Sequence, residues 1–174
     1  RRVWDSRGKT TVEAELRLDD GSIGRALAPA GASTGSGEAK SIPTENAVHA
    51  IQTEIRAALV GMDPAAQAEV DRRLVALDGT PDKGRLGGNA LVAVSLACAH
   101  AAAAAARVPL WKHLAGERNV ALPVPQIQIF GGGAHARGRV DLQDYLLVCP
   151  GAGSFAEALD WTAQVYHAAG ARLA

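Results

Sequence analysis

The run from Leu91 to Ala106 constrains the fold more than any other feature of this chain. It is the longest apolar stretch, mostly alanine, and it contains Ser95 and His100. A membrane span needs roughly 20 strongly apolar residues, so the run predicts a helix buried inside a protein. That helix is expected to open near Gly88 or Asn89 and to end before Pro109. Apolar residues make up 48% of the 174 residues and aromatics only 4%, which leaves Ala, Val and Leu to fill the core. The length fits one domain, or one domain plus part of another.

The segments before this helix predict a small sheet and further helices. Val12, Ala14, Leu16 and Leu18 alternate with Glu13, Glu15 and Arg17, the pattern of a half-buried strand over residues 10–18. Asp20-Gly21 is a hairpin turn signal, with a second strand expected from Ser22 to Ala28. A small-residue loop, Gly31 to Gly37, follows. Val48, Ile51, Ile55 and Leu59 then recur at helical spacing over residues 44–60. Asp63-Pro64 reads as a cap with proline at the first helical position, opening a helix that places Val70, Leu74 and Leu77 on one face. Residues 1–116 therefore predict an α+β unit, an antiparallel sheet with packed helices.

After Gly116 the pattern changes. Val124 to Phe130 and Asp144 to Val148 read as strands, and Ser154 with Glu157 forms a capping box that opens a C-terminal helix. Two strands and one helix cannot bury both faces of their sheet, and they leave open edges. A closed (β/α)₈ barrel takes about 250 residues, so residues 117–174 predict the opening of a larger domain.

Charge excludes some partners. Eighteen basic residues balance eighteen acidic ones, leaving no net field to attract nucleic acid or an anionic membrane. No secretory or targeting segment is visible at the N-terminus. Cys98 and Cys149 are too few and too distant for a disulfide framework, and reduced thiols in a cytoplasmic protein are expected.

Several short motifs carry candidate chemistry. Gly31-Ala32-Ser33-Thr34-Gly35-Ser36-Gly37 lets backbone approach a ligand and face an anion, although no Gly-Lys-Ser/Thr follows, and an ordinary surface loop has the same composition. Gly131-Gly132-Gly133-Ala134-His135 places a histidine just past a strand, at the rim where barrels collect catalytic groups. Asp141, Gln143 and Asp144 follow closely, at a spacing that matches no standard metal motif. A hydrolase built from Ser33, His135 and Asp141 lacks the G-x-S-x-G elbow. Asp5-Ser6-Arg7-Gly8 reads as a turn with a surface ion pair, and Leu86-Gly87-Gly88-Asn89-Ala90 as a helix start.

Taken in order, these segments resemble enolase. The matching pieces are Asp5-Ser6-Arg7-Gly8, Val12-Glu13, Pro29 to Gly35, Leu77-Asp78-Gly79-Thr80-Pro81 and Leu86 to Ala90. Val94 to Ala97, Leu122 to Pro125, Gly132 to Ala136, Gln143-Asp144 and Ser154 to Leu159 continue the match nearly to the end of the chain. The resemblance implies an α+β capping domain, an antiparallel meander plus helices over 1–116, followed by the opening ββα part of an enolase-type (β/α)₈ barrel over 117–174. It also implies a lyase that dehydrates 2-phosphoglycerate to phosphoenolpyruvate in glycolysis with two magnesium ions. Such an enzyme removes a weakly acidic proton beside a carboxylate, and divalent cations stabilise the charge that develops.

Carried over by match, Gly31, Ala32 and Ser33 would bind substrate, and Ser33 would also ligate the second magnesium. His135 would sit near the phosphate and hydroxyl side, and Gln143 and Asp144 would line the pocket, His135 and Asp144 with catalytic roles. The resemblance further implies a homodimer, or a higher homo-oligomer, formed through the capping domain, with Glu13 and nearby arginines at the contact. Three positions depart from the family. Ala30 stands where it has serine, Gly131 where it has asparagine, and Asp144 where it has glutamate, a loss of about 1.5 Å of reach. A stretch that normally follows the Glu38-Ala39 region is missing. The family's general-acid glutamate, base lysine and three carboxylate magnesium ligands find no match, and none of Lys9, Lys40, Lys83 and Lys112 is the base. These departures keep two alternatives open, a divergent enzyme acting on another carboxylate and a non-catalytic binding or assembly domain.

Overall fold

A computed structural model of the chain describes residues 1–31 and 35–173. The chain divides into two compact units, Arg1–Arg118 and Asn119–Ala174.

In the first unit, strands β1 (Arg2–Trp4), β2 (Thr10–Arg17) and β3 (Ile23–Leu27) form an antiparallel sheet in sequence order. The alternation predicted for β2 is present, with Val12 and Ala14 buried and Glu15 and Arg17 exposed. Leu16 packs on the same core. The hairpin turns at Gly21, whose φ is +85°, and the Asp20 carboxylate accepts the Ser22 N–H at 2.8 Å. Strand β1 pairs Arg2 with Val12 and Trp4 with Thr10; three residues are too few to show a period.

The alanine-rich run forms α4 (Gly88–Ala105). It is long and apolar enough to cross a membrane by length and composition, but Ala90, Ala93, Ala97 and Ala101 are fully buried within the unit. Small side chains let this helix approach the sheet closely. A Cβ built on Gly24 of β3 would overlap Ala97 O and Ala101 N, with Ala101 Cα at 2.9 Å. The backbones of β3 and α4 are thus in direct contact, and only glycine fits between them.

Other helices complete this core. Helix α1 (Thr44–Ala50) continues through a wider π-helical turn, Ile51–Ile55, into α2 (Arg56–Leu59). Thr53 Oγ1 donates to His49 O at 2.7 Å within that wider turn, a side-chain bond that competes with the regular ladder. Ile55 is buried in the core, and Val48, Ile51 and Leu59 pack against that core.

Helix α3 spans Gln67–Asp78 and starts later than Asp63-Pro64 predicts. Asp63 caps a separate turn instead, accepting the Ala65 N–H at 2.9 Å on its side chain and the Ala66 N–H at 3.2 Å on its carbonyl. Gln67 opens the helix proper and reaches Ser95 Oγ on α4 at 2.9 Å. A short helix, α5 (Leu110–Ala115), follows Pro109.

Asp78 is 2% exposed at the end of α3. Burial opposes its charge, yet it accepts the Leu86 N–H at 2.7 Å, the Thr80 N–H at 2.9 Å and the Thr80 hydroxyl. These bonds, with the charge of Arg85, hold its carboxyl below the ordinary range. Cys98 on α4 and the half-buried Cys149 are both free thiols. Burial and the nearby Asp71 carboxylate push Cys98 up to about 11.

The second unit contains β4 (Gln126–Gly131), a 3₁₀ turn (Gly133–Ala136), β5 (Asp144–Val148) and α6 (Phe155–Leu173). The two strands pair antiparallel, the ββα order expected. The capping box is present with one change. Ser154 Oγ accepts the Glu157 N–H at 3.1 Å, while the Glu157 carboxylate takes the N–H of Gly153, not Ser154, at 2.6 Å. Only Ala158 and Thr162 of α6 are buried; Leu146, Val148, Trp161 and Val165 are exposed.

Gly24→Ala is expected to destabilise the first unit by about 3 kcal/mol or more, because backbone must move. Gly37→Ala, with open space around it, should stay within about 1 kcal/mol of wild type. Urea unfolding of the two variants measures the difference.

Candidate functional site

The residues on either side of the Gly31–Gly37 segment are held by contacts in the first unit. Ala32, Ser33 and Thr34 lie outside the described residues; Gly31 is exposed. On the entering arm, Thr11 Oγ1 donates to Ala28 O at 2.7 Å, and the Arg7 guanidinium donates to Ala30 O. Arg7 is itself held by Asp5, which accepts the Arg7 and Lys9 N–H groups, each at 2.9 Å, and pairs with the guanidinium at 3.9 Å. The Lys9 N–H is the main cause that holds the Asp5 carboxyl below its ordinary value; the Arg7 N–H and both side-chain charges add to it against a desolvation cost. Asp5-Ser6-Arg7-Gly8 is therefore more than a local turn, because its arginine reaches the arm that carries Ala30.

On the returning arm, Glu38 accepts the Gly35 N–H at 2.8 Å. Lys40 then pairs with Asp82 at 2.8 Å, and its carbonyl accepts the Gly88 N–H at 2.7 Å. Asn89 makes two bonds to one residue: Oδ1 accepts the Ile42 N–H at 3.2 Å and Nδ2 donates to Ile42 O at 3.0 Å. A carboxylate there would lose the donor, and alanine would lose both bonds.

The two glycines before Asn89 make room for this arm. A Cβ on Gly87 would stand 2.6 Å from Ile42 Cγ1, one on Gly88 2.9 Å from Ala39 Cβ, and Gly87 has a φ of +92°. The motif that reads as a helix start in the sequence thus clamps Ala39 to Ile42 onto the start of α4. Only the pairing of a returning arm with Gly87 to Asn89 reveals that role, and sequence spacing does not show it.

In the second unit, one end of the β4–β5 hairpin gathers His135, Gln143 and Asp144. The connection folds back so that Gly132 N–H donates to Gln143 O at 2.7 Å and Gly133 N–H to Val140 O at 2.8 Å. A Cβ on Gly132 would overlap Leu142 O, which accounts for glycine there. His135 stands exposed on the 3₁₀ turn, next to Gly131; a Cβ at 131 would lie 3.5 Å from His135 Cβ. Gln143 and Asp144 are exposed as well.

Asp144 has a partner that sequence reasoning missed. Gln128 Nε2 donates to Asp144 Oδ1 at 2.7 Å and also approaches Phe130 O at 3.2 Å. Gln126 and Gln128 alternate with Ile127 and Ile129 in this strand, and that alternation, which puts Gln128 on a polar face, was the available signal. The site thus offers an imidazole, a carboxamide and an oriented carboxylate at one rim, a set able to bind an anionic substrate and to exchange protons with it.

His135 and Asp141 make no hydrogen bond to each other, and Ser33 lies outside the described residues. Among the described residues no group of three or more His, Cys, Asp or Glu gathers where a metal ion would sit. Glu13 is bound within its own chain, to Arg1 Nε at 2.8 Å.

Two family models match the sequence. The one described as "Enolase, N-terminal domain" covers residues 1–114, and the one described as "Enolase, C-terminal TIM barrel domain" covers residues 119–173. Each match falls within one structural unit.

Replacing Asn89 by alanine should cost about 1–3 kcal/mol, since the half-buried amide and carbonyl of Ile42 lose their partners. Hydrogen exchange at the Ile42 amide is expected to speed up more than exchange at Val12, which lies outside this clamp.

Proposed function

We propose, starting from the fact that this chain belongs to the enolase family, that the complete protein is a magnesium-dependent lyase converting 2-phosphoglycerate to phosphoenolpyruvate in glycolysis. The observation that carries this reading is the convergence of His135, Gln143 and Asp144 at one end of a hairpin in a chain that matches both enolase domains in order. Bound magnesium would offset the negative charge that develops when a proton leaves the carbon beside a carboxylate. Ser33, and carboxylates not among the described residues, would hold it.

The residues of this chain have their own parts in the proposal. His135 binds on the phosphate and hydroxyl side of the substrate. Gln143 donates its carboxamide N–H to a substrate oxygen, and Asp144 fixes the acidic side of the pocket. Gly31, Ala32 and Ser33 would bind substrate, and the Arg7 and Asn89 contacts brace the residues that flank them. We further propose a cytoplasmic homodimer. Opening of the Arg1–Glu13 pair would free Glu13 for an arginine of the second subunit.

One observation favours a second reading, a divergent family member acting on another carboxylate. Asp144 is shorter than the family's glutamate by about 1.5 Å of reach, and a site tolerates roughly 1 Å of misplacement poorly.

The test is phosphoenolpyruvate formation from 2-phosphoglycerate by the complete protein. Activity is expected with magnesium and none after chelation. His135→Ala should lower kcat/KM by about 10²-fold or more. No turnover of 2-phosphoglycerate, with dehydration of a different 2-phospho or 3-hydroxy carboxylate, would replace the first reading by the second.

A further inference from the structure

Two of the positions that depart from the family, Gly131 and Asp144, face each other across the hairpin. The pairing is Gln128 with Leu146, then Phe130 with Tyr145, then Gly131 with Asp144, so a bulge lies between Gln128 and Phe130. The extra residue, Ile129, moves Gly131 into the place opposite Asp144 that Phe130 would hold in a regular ladder. Asp144 and Leu146 share one face of β5, and Gln128 stands opposite Leu146 on that face. Gln128 is therefore diagonal to Asp144 and reaches it across the position where residue 131 has no side chain.

The space is tight. A Cβ at 131 would come within 3.1 Å of Gln128 Nε2, closer than ordinary van der Waals contact. A larger residue at 131 would compete with the carboxamide for that space. The carboxamide then meets Asp144 Oδ1 at 2.7 Å, a charge-assisted bond. Phe130 O, at 3.2 Å from the same nitrogen, helps fix the amide's orientation.

We infer that Gln128 is a positioning residue for Asp144, and that Gln128, Gly131 and Asp144 work as one matched set at the substrate rim. The long amide and the absent side chain at 131 compensate for the short carboxylate. The contact engages Oδ1 and leaves Oδ2 for the substrate or a water. This inference rests on the reading that Asp144 lines the substrate pocket.

The test has a structural arm and a kinetic arm, both on the complete protein. A crystal structure is expected to show Gln128 Nε2 within hydrogen-bond distance of Asp144; an amide turned away overturns the inference whether or not 2-phosphoglycerate is turned over. In turnover, Gln128→Leu should lower kcat about tenfold or more, with KM within about threefold. Gln128→Asn and Asp144→Glu each change reach by one methylene, in opposite senses. Each alone should lower kcat, and the double variant should recover most of the loss, a non-additivity that independent sites do not show.

A wild-type kcat in Gln128→Leu, or losses that simply multiply in the double variant, would overturn the positioning role. Absence of any 2-phosphoglycerate turnover in the wild-type protein overturns the reaction proposed above, and the crystallographic distance then decides the Gln128–Asp144 contact by itself.

Discussion

The backbone of β3 rests on the backbone of α4 at Gly24, against Ala97 and Ala101, and the first unit is organised around that contact. With few aromatics, the core relies on aliphatic side chains and many alanines. It bases its packing on close approach, with alanines at Ala93, Ala97 and Ala101 fully or almost fully buried. Dispersion gains fall off over fractions of an ångström, so small residues stabilise well only where surfaces come this near. The same helix supports the loop at its other end. Gly87, Gly88 and Asn89 open α4 and also seat Ala39 to Ile42. One helix therefore sets both the sheet's position and the returning arm of the Gly31–Gly37 loop.

The second unit is organised differently. Its hairpin is tied by backbone bonds at Gly132 and Gly133 and by the Gln128–Asp144 contact, but it buries little apolar surface of its own. Strands with open edges and exposed apolar faces are normally covered. In the proposed enzyme, further barrel strands and helices would cover them. The local order of the rim thus rests on short-range hydrogen bonds, and those bonds gather His135, Gln143 and Asp144 at one end of the hairpin.

Much of this was legible in the residues. The alternation through β2, the long alanine helix, the ββα order and the Ser154 cap each follow from a local period or a capping pattern, which physical chemistry ties to nearby residues. Four features were not. Strand β1 is too short to carry a period, and Thr53 alone gives little warning of the wider turn in its helix. Asp63-Pro64 has the chemistry of a helix start but forms its own turn, with α3 opening at Gln67 beside Ser95. The roles of Arg7, Asn89 and Gln128 depend on partners 23, 47 and 16 residues away, and no local pattern encodes such pairings. At the site, the residue types were readable from the family resemblance, whereas the contact that orients Asp144 was not.

The central claim is the proposal that the end of the hairpin carrying His135, Gln143 and Asp144 receives a phosphorylated carboxylate. The most direct test is a crystal structure of the complete protein with 2-phosphoglycerate and magnesium bound. The account predicts the ligand in contact with His135 and Gln143, and beside Asp144. A ligand bound elsewhere, with these side chains untouched, would contradict it.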